Sequence, residues 1–315
     1  MKLKRLILAL TAACALFAQP ANAQYPDKPI TLIVPWAPGG STDQTARVLA
    51  KAAENYLGQP IIVVNRPGAS TTIGMAELAK AAPDGYTIGT LSSTGYLVKL
   101  QGRQLSFDPI EDFSYISYYG DNLIGIAVLT DSPYKTLKEL VAFGKANPGK
   151  LKYGTAGVGT TQHLTIEALQ RDSGAKFVHV PQQGSAASAP ALLGGHVDFI
   201  METSVWAPFI ESKQMRLLAV SATKRSDVYP DVPTFGELGF KSLRSVQAII
   251  APKGLPEEIR VKLEIAFRKA LSDKAFQATM QKLAMQVVDL PGADVKKLVE
   301  SEYALAKELI ESTKK

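Results

Sequence analysis

Hydrophobic positions along the chain fall into two alternating patterns. Short runs rich in Ile, Val and Leu, at residues 30–35, 61–65, 86–91, 115–119, 124–130, 151–155, 177–181, 197–201, 217–221 and 245–251, have the length and β-branching of strands. Between several of them the apolar residues recur with helical spacing. Residues 42–57 place Ala46, Leu49, Ala50, Ala53 and Leu57 on one face, and 137–147, 164–172, 185–193 and 256–271 read the same way. Residues 293–312 predict a long C-terminal helix. Gly58, Pro148-Gly149 and the turn Pro83-Asp84-Gly85 supply stops. Continuous apolar strands alternating with helices predict mostly parallel, buried sheets flanked by helices, an α/β architecture.

The first 23 residues follow another logic. Lys2, Lys4 and Arg5 precede an apolar stretch, residues 6–18, that is too short to span a bilayer. Ala21-Asn22-Ala23 then offers small residues where a leader peptidase reads, so a signal peptide cleaved after Ala23 and export of the chain are expected. The polar residues 19–22 argue against a retained anchor, and Thr11 stands where a lipid-attachment motif around Cys14 needs a branched apolar residue. Cys14 is the sole cysteine, so the mature chain would hold no disulfide and rely on core burial.

The 292 residues after the leader suffice for two lobes. No long linker separates them, so the chain is expected to cross between lobes near residues 121–125 and 222–245. Lobe 1 then comprises residues 24–121 plus 235–315, and lobe 2 residues 122–234. Net charge is +6, and losing Lys2, Lys4 and Arg5 leaves +3. No Lys/Arg block with interleaved aromatics occurs, so no nucleic-acid partner is expected.

Four strand-to-helix junctions share one chemistry. They are Pro35-Trp36-Ala37-Pro38-Gly39-Gly40-Ser41-Thr42-Asp43, the segment 65–74 containing Ala69-Ser70-Thr71-Thr72, the segment 155–163 containing Thr160-Thr161-Gln162-His163, and Pro181-Gln182-Gln183-Gly184-Ser185. Each is rich in Gly and hydroxyls and feeds a helix N-terminus, where unpaired N–H groups and the positive end of the dipole meet. Such loops at the carboxyl ends of strands form an anion cradle without Arg or Lys. Taken singly, each is ordinary capping chemistry, and Ser41 with Gln44 predicts a capping box. Four together, two in each lobe, predict a pocket between lobes.

Catalytic signatures are missing. In Gly157-Val158-Gly159 the third glycine of a dinucleotide fingerprint is replaced by Gln162, and neither a phosphate-binding Gly-Lys-Ser/Thr loop nor a G-x-S-x-G elbow occurs. His163, His179 and His196 lie apart in the chain, without metal-ligand spacing. No catalytic residue, metal or cofactor is expected. His163, in a first helical turn, reads equally as ligand contact or structural residue; His179 reads as a strand residue and His196 as a turn residue. Trp36 reads as pocket wall or core, Glu202-Thr203 as pocket or solvated strand end, and Arg66 as a surface residue.

These segments carry a resemblance. Tyr25-Pro26-Asp27-Lys28-Pro29-Ile30, the Gly-Gly-Ser-Thr-Asp of the first loop, Asn65-Arg66-Pro67-Gly68-Ala69, Pro83-Asp84-Gly85-Tyr86-Thr87, His179-Val180-Pro181, Leu193-Gly194-Gly195 and Pro230-Asp231-Val232-Pro233-Thr234 resemble the Bug (TctC-type) family, over essentially the whole mature chain. These are periplasmic solute-binding proteins of tripartite tricarboxylate transporters. The resemblance implies a type II periplasmic binding fold closing on a carboxylate, with delivery to membrane permease subunits and a monomeric protein. It transfers Trp36, Ala37, Gly39, Gly40, Ser41, Thr42 and Asp43 as ligand contacts, with Ala69, Ser70, Thr71, Thr72, Thr160, Thr161, His163, Gln183, Glu202 and Thr203 completing the site. The chain departs from the family where Ser70-Thr71-Thr72 replace the usual Gly-Gly-Asn, where Gln182 replaces Tyr, and where Glu202 stands for a frequent Asp. A Trp wall with amide and hydroxyl partners suits an aromatic acid or a longer dicarboxylate better than citrate. The rival readings are a ligand receptor for a sensor protein and a secreted hydrolase, which would need a nucleophile paired with His.

Overall fold

The structure, a computed structural model, describes residues 25–311, so the leader, its cleavage site and Cys14 lie outside the described residues. Strands β1 (Ile30–Val34), β2 (Ile61–Asn65), β3 (Thr87–Thr90), β4 (Phe113–Asn122), β10 (Ser245–Pro252) and β11 (Leu290–Pro291) form one sheet, in the order β11-β4-β10-β3-β1-β2. Strands β5 (Ile124–Leu129), β6 (Lys152–Thr155), β7 (Val178–Pro181), β8 (Phe199–Thr203) and β9 (Met215–Ser221) form a second, in the order β7-β6-β8-β5-β9. The helices are α1 (Ser41–Leu57), α2 (Thr72–Ala79), α3 (Ser93–Leu100), α4 (Leu137–Ala146), α5 (Thr161–Ser173), α6 (Ser188–Leu193), α7 (Ala207–Glu211), α8 (Glu257–Ala270), α9 (Lys274–Lys282) and α10 (Gly292–Glu311).

The result is two helix-flanked sheets in two lobes, as the alternating pattern predicts. The sheets are mixed rather than mostly parallel. β1 pairs in parallel with β2 and β3, and β6 with β7 and β8, but β10 and β5 pair antiparallel with their neighbours. The reason lies in the crossings. The βαβ strands of each lobe run toward the interlobe cleft, so a strand entering from the other lobe must run away from it. One residue, Leu123, separates β4 from β5. On the return, Phe235 is buried with the second lobe's core and Leu243 with the first's, so the chain changes cores between them.

The predicted face of α1 is buried throughout, with Ala46, Leu49, Ala50, Ala53 and Leu57 packed against Leu263, Phe267 and Ala270 of α8 and the β1 side chains Ile30 and Leu32. The opposite sheet face is covered by Met75, Leu78, Tyr96, Val295 and Val299 from α2, α3 and α10. Each large apolar side chain buried this way contributes ~1.5–3 kcal/mol. Helices α2, α3, α7 and α9 escape the periodicity reading because they are short. In α3 every residue from Ser93 to Val98 is buried, so no polar stripe marks it. Among the described residues no helix is long and apolar enough to cross a membrane.

Candidate functional site

Because β1, β2 and β3 are parallel, their carboxyl ends share one edge, and those of β6, β7 and β8 share another. The loops leaving these edges face each other. Between them lies an inner cavity of about 20 Å³, lined by Trp36, Gly40, Ser41 and Thr42 from the first lobe and Thr161, Gln162, Ser185 and Thr203 from the second, among others. That is room for little more than one water molecule. Past Trp36, Ala37 and Gly184 the space continues into an open cleft of about 670 Å³. No Lys, Arg, His, Asp or Glu lines either space.

At the first junction, Gly40 caps α1 with extended backbone, and the first helical bond is Gln44 N to Gly40 O (3.0 Å). The N–H groups of Ser41 and Thr42 thus have no intrahelical partner and lie at the positive end of a 17-residue helix. The predicted capping box does not form. Gln44 Nε2 donates instead to Gly39 O (2.9 Å), and Ser41 Oγ donates across the cleft to Thr203 Oγ1 (3.0 Å). Ser70 Oγ likewise reaches Val158 O (2.6 Å), and Gln101 Nε2 reaches Gly159 O (3.3 Å). The lobes are therefore latched shut, and seating an organic molecule in the inner cavity requires these bonds to part.

The candidate residues divide into those on the walls and those behind them. Trp36, Ala37, Gly40, Ser41, Thr42, Thr161 and Thr203 line the inner cavity, and Ala69, Ser70, Thr71 and Gln183 line the open cleft, together with Trp36 and Ala37. Gly39, Asp43, Thr72, Thr160, His163 and Glu202 line neither. Asp43 is a brace: Oδ2 accepts from Gly39 N (2.9 Å), Oδ1 accepts from Asn65 Nδ2 (2.8 Å), and Arg47 lies 3.0 Å away. Burial raises its pKa, but hydrogen bonds from Arg47, Gly39 and Asn65 outweigh this and hold the carboxyl below its ordinary value. Thr72 Oγ1 bonds Ala69 O, and Thr160 caps α5 by accepting from His163 N (3.3 Å).

His163 turns its ring inward, where Nδ1 accepts from Gly159 N (3.2 Å). Remote in sequence, His163 and His179 stack at 4.2 Å between ring centres, and His179 Nε2 meets Thr155 Oγ1 at 2.7 Å. Burial lowers both pKa values, and the neighbouring His163 adds to the effect on His179, which falls to about 4. Arg66 pairs with Glu77 on the exposed surface, as read.

Glu202 is fully buried one layer behind the second-lobe wall. Oε1 accepts from Ser188 Oγ (2.7 Å), and Oε2 from Thr203 N (3.1 Å) and Gln162 Nε2 (3.4 Å). Burial pushes this carboxyl up to about 7, against those hydrogen bonds, which favour the ionised form.

Several wall residues lie outside the four junctions. Ser92, Ser93 and Thr94 come from a fifth junction, between β3 and α3, with the same hydroxyl-and-Gly signature in Ser92-Ser93-Thr94-Gly95. Asn122, Ser245 and Gln247 come from the crossing strands and form the floor. Asn122 Nδ2 donates to Thr42 Oγ1 (3.2 Å) and Ser245 Oγ (3.1 Å). Their sequence signal was polarity inside otherwise apolar strands.

The second junction is strained. Ala69, Ser70 and Thr71 have φ of 46, 55 and 75°, three successive residues in a region that suits glycine. Thr71 is also buried with its hydroxyl unpartnered. Thr71→Gly is therefore expected to stabilise the fold by about 1 kcal/mol, relief of strain and of the orphaned hydroxyl exceeding the lost methyl burial and added chain entropy. Urea unfolding checks this; a lower midpoint at unchanged slope would refute it.

Comparison with known proteins agrees with this architecture. The "UPF0065 protein in gbd 5'region" of Cupriavidus necator is 42% identical over 284 residues, covering 89% of this chain and 86% of that one. A Rhodopseudomonas palustris protein solved with adipate superposes with a TM-score of 0.85 at 27% identity, over 91% of this chain and 97% of that one. MatC from the same species, solved with bound malate, gives 0.84 at 26% identity, over 91% and 100%. Residues 45–314 match the sequence profile of the tripartite tricarboxylate transporter family receptor, TctC, so the chain belongs to this family of solute-binding receptors.

Proposed function

We propose that the protein is a periplasmic receptor that captures a small organic carboxylate by lobe closure, without chemical conversion, and delivers it to the membrane permease subunits of a tripartite transporter. The supporting observation is the cleft itself: uncharged walls, rich in hydroxyls and amides, at which the free N–H groups of Ser41 and Thr42 open α1. Such a lining neutralises an anion with backbone dipoles and hydrogen bonds, each charge-assisted bond contributing ~1.5–3 kcal/mol. Relatives solved with malate and with adipate support a carboxylate. Ser41–Thr203 and Ser70–Val158 would be the bonds that part to admit the ligand.

A thermal-shift screen against carboxylic acids, neutral sugars and cations tests this reading. A ligand at a hundred times its dissociation constant stabilises by about 2.7 kcal/mol. Trp36 supplies a second readout. It stands at the cleft while the other tryptophan, Trp206, is fully buried, so a Trp206→Phe variant reports the cleft alone. Carboxylates should shift both signals; a response only to sugars or cations would overturn the anion cradle.

A further inference from the structure

Much of the second-lobe wall hangs on one loop, residues 156–160, which joins β6 to α5. Ala156, Gly157 and Val158 line the open cleft, and the loop ends where α5 brings the unpaired N–H groups of Thr161 and Gln162 to the inner cavity. Two bonds from the first lobe also land on it, Ser70 Oγ on Val158 O and Gln101 Nε2 on Gly159 O. Val158 is 55% exposed and glycines flank it, so apolar packing does little to fix the loop's course. Hydrogen bonds fix it instead. Gly157 O accepts from the hydroxyls of Thr155 (3.1 Å) and Thr160 (2.9 Å), and Gly159 N donates to His163 Nδ1 (3.2 Å).

The last bond sets a condition on His163. An imidazole nitrogen accepts from an N–H only with its lone pair free, so Nδ1 is unprotonated and the ring neutral. A proton on Nδ1 would set one N–H against another and release Gly159. The surroundings resist that proton. His179 stacks on His163 at 4.2 Å between ring centres, so a charge on one ring opposes a charge on the other. Beyond His179 lies the buried Tyr153 ring, 4.8 Å away. The carboxylate facing the pair is Glu167, with Oε1 3.8 Å from His163 Nε2, and the Tyr153 hydroxyl donates to the same oxygen (3.2 Å). Its pull toward the charged ring is outweighed by burial, which lowers the His163 pKa.

We infer that His163 is a positioning residue whose neutral ring holds loop 156–160 in the shape the closed site needs, so that acid loosens this wall and releases bound ligand. The sign follows from linkage. The ordered loop resists a proton that the loosened loop accepts, so order is fully present above about pH 6.5 and is lost as pH falls below it. The inference rests on the carboxylate reading only where affinity is measured.

The test compares the wild-type protein with His163→Asn and His163→Gln. Asparagine places an acceptor near the position of Nδ1 but cannot take up a proton; glutamine reaches toward the position of Nε2 instead. Hydrogen-exchange protection of residues 156–160 in the ligand-free protein, corrected for intrinsic rates, should fall about tenfold between pH 7.5 and pH 5 in the wild type, change by less than about threefold in His163→Asn, and be low at both pH values in His163→Gln. Calorimetric affinity for malate and for adipate, the acids held by solved relatives, should follow the same order. Protonation of the acids and of Glu202, which meets α5 through Gln162, is common to all three proteins and cancels in the comparison. Should His163→Asn not fold, wild-type NMR decides: the His163 ring and the Gly159 amide should titrate with one midpoint. Equal pH dependence in wild type and His163→Asn, full protection in His163→Gln, or separate midpoints overturn the inference. If neither acid binds, affinity is read with the carboxylate that the thermal-shift screen selects. If no carboxylate binds, the carboxylate reading fails, while the exchange measurements still decide the role of His163.

Discussion

Asp43→Ala is expected to lower stability by about 3 kcal/mol and to weaken ligand capture more than tenfold, although Asp43 lines neither cavity. Its side chain is 3% exposed as a residue and takes Gly39 N on one oxygen and Asn65 Nδ2 on the other. Asn65, ending β2, also donates to Trp36 O (2.9 Å), so one carboxylate ties the Trp36–Gly39 loop to the neighbouring strand. Alanine leaves a backbone N–H and an amide short of partners, and each bond to a charged group contributes ~1.5–3 kcal/mol. Arg47, with its side chain 46% exposed, adds little. Freed of its brace, the loop no longer presents Gly40, Ser41 and Thr42 in one arrangement, and binding must first order it. Urea unfolding and Trp36 fluorescence titration measure the two effects. Lost stability with unchanged affinity would remove the first loop from the ligand site.

Glu202→Gln is expected to stabilise the protein by about 3 kcal/mol at pH 8.5 relative to its effect at pH 4. The folded-state pKa, raised by burial from 4.5 to about 7, means that the native protein holds this proton more tightly than the unfolded chain. Stability from the neutral carboxyl is thus fully present below about pH 4.5 and is lost as pH rises through about 7. Glutamine cannot ionise and escapes the loss. The wild-type curve alone does not isolate this effect. His179, depressed from 6.5 to about 4 by burial and by His163, acts oppositely. Its contribution is lost as pH falls from 6.5 toward 4, when the unfolded imidazole takes up a proton that the native one resists. Unfolding free energies of both proteins between pH 4 and 8.5 separate the two, since the histidine contribution cancels in the difference. A difference independent of pH would show that Glu202 ionises freely in the fold.

The same contrast divides what could be read from the chain. Strand cores such as residues 30–34, and helices such as α1, were legible because burial imposes its period locally. The first loop was legible because glycines and hydroxyls before an amphipathic helix have few other uses. Short α3 was not, because a buried helix carries no polar stripe, and with it the Ser92–Thr94 wall was missed. The mixed sheet order was equally hidden, since strand direction depends on which lobe a strand enters.

The sequence by itself determined the α/β class, the family, and the presence of helix N-termini rich in donors, because these follow from residue type and spacing over a few turns. Tertiary structure alone decided which polar groups meet. It turned Asp43 and His163 inward as braces, sent Ser41 across to Thr203, stacked His163 on His179, and set Glu202 behind Ser185 and Gln162. The physical reason is that a side chain's hydrogen bonds are settled by whichever partner lies within about 3 Å after folding. Those partners stand as far as 162 positions away along the chain.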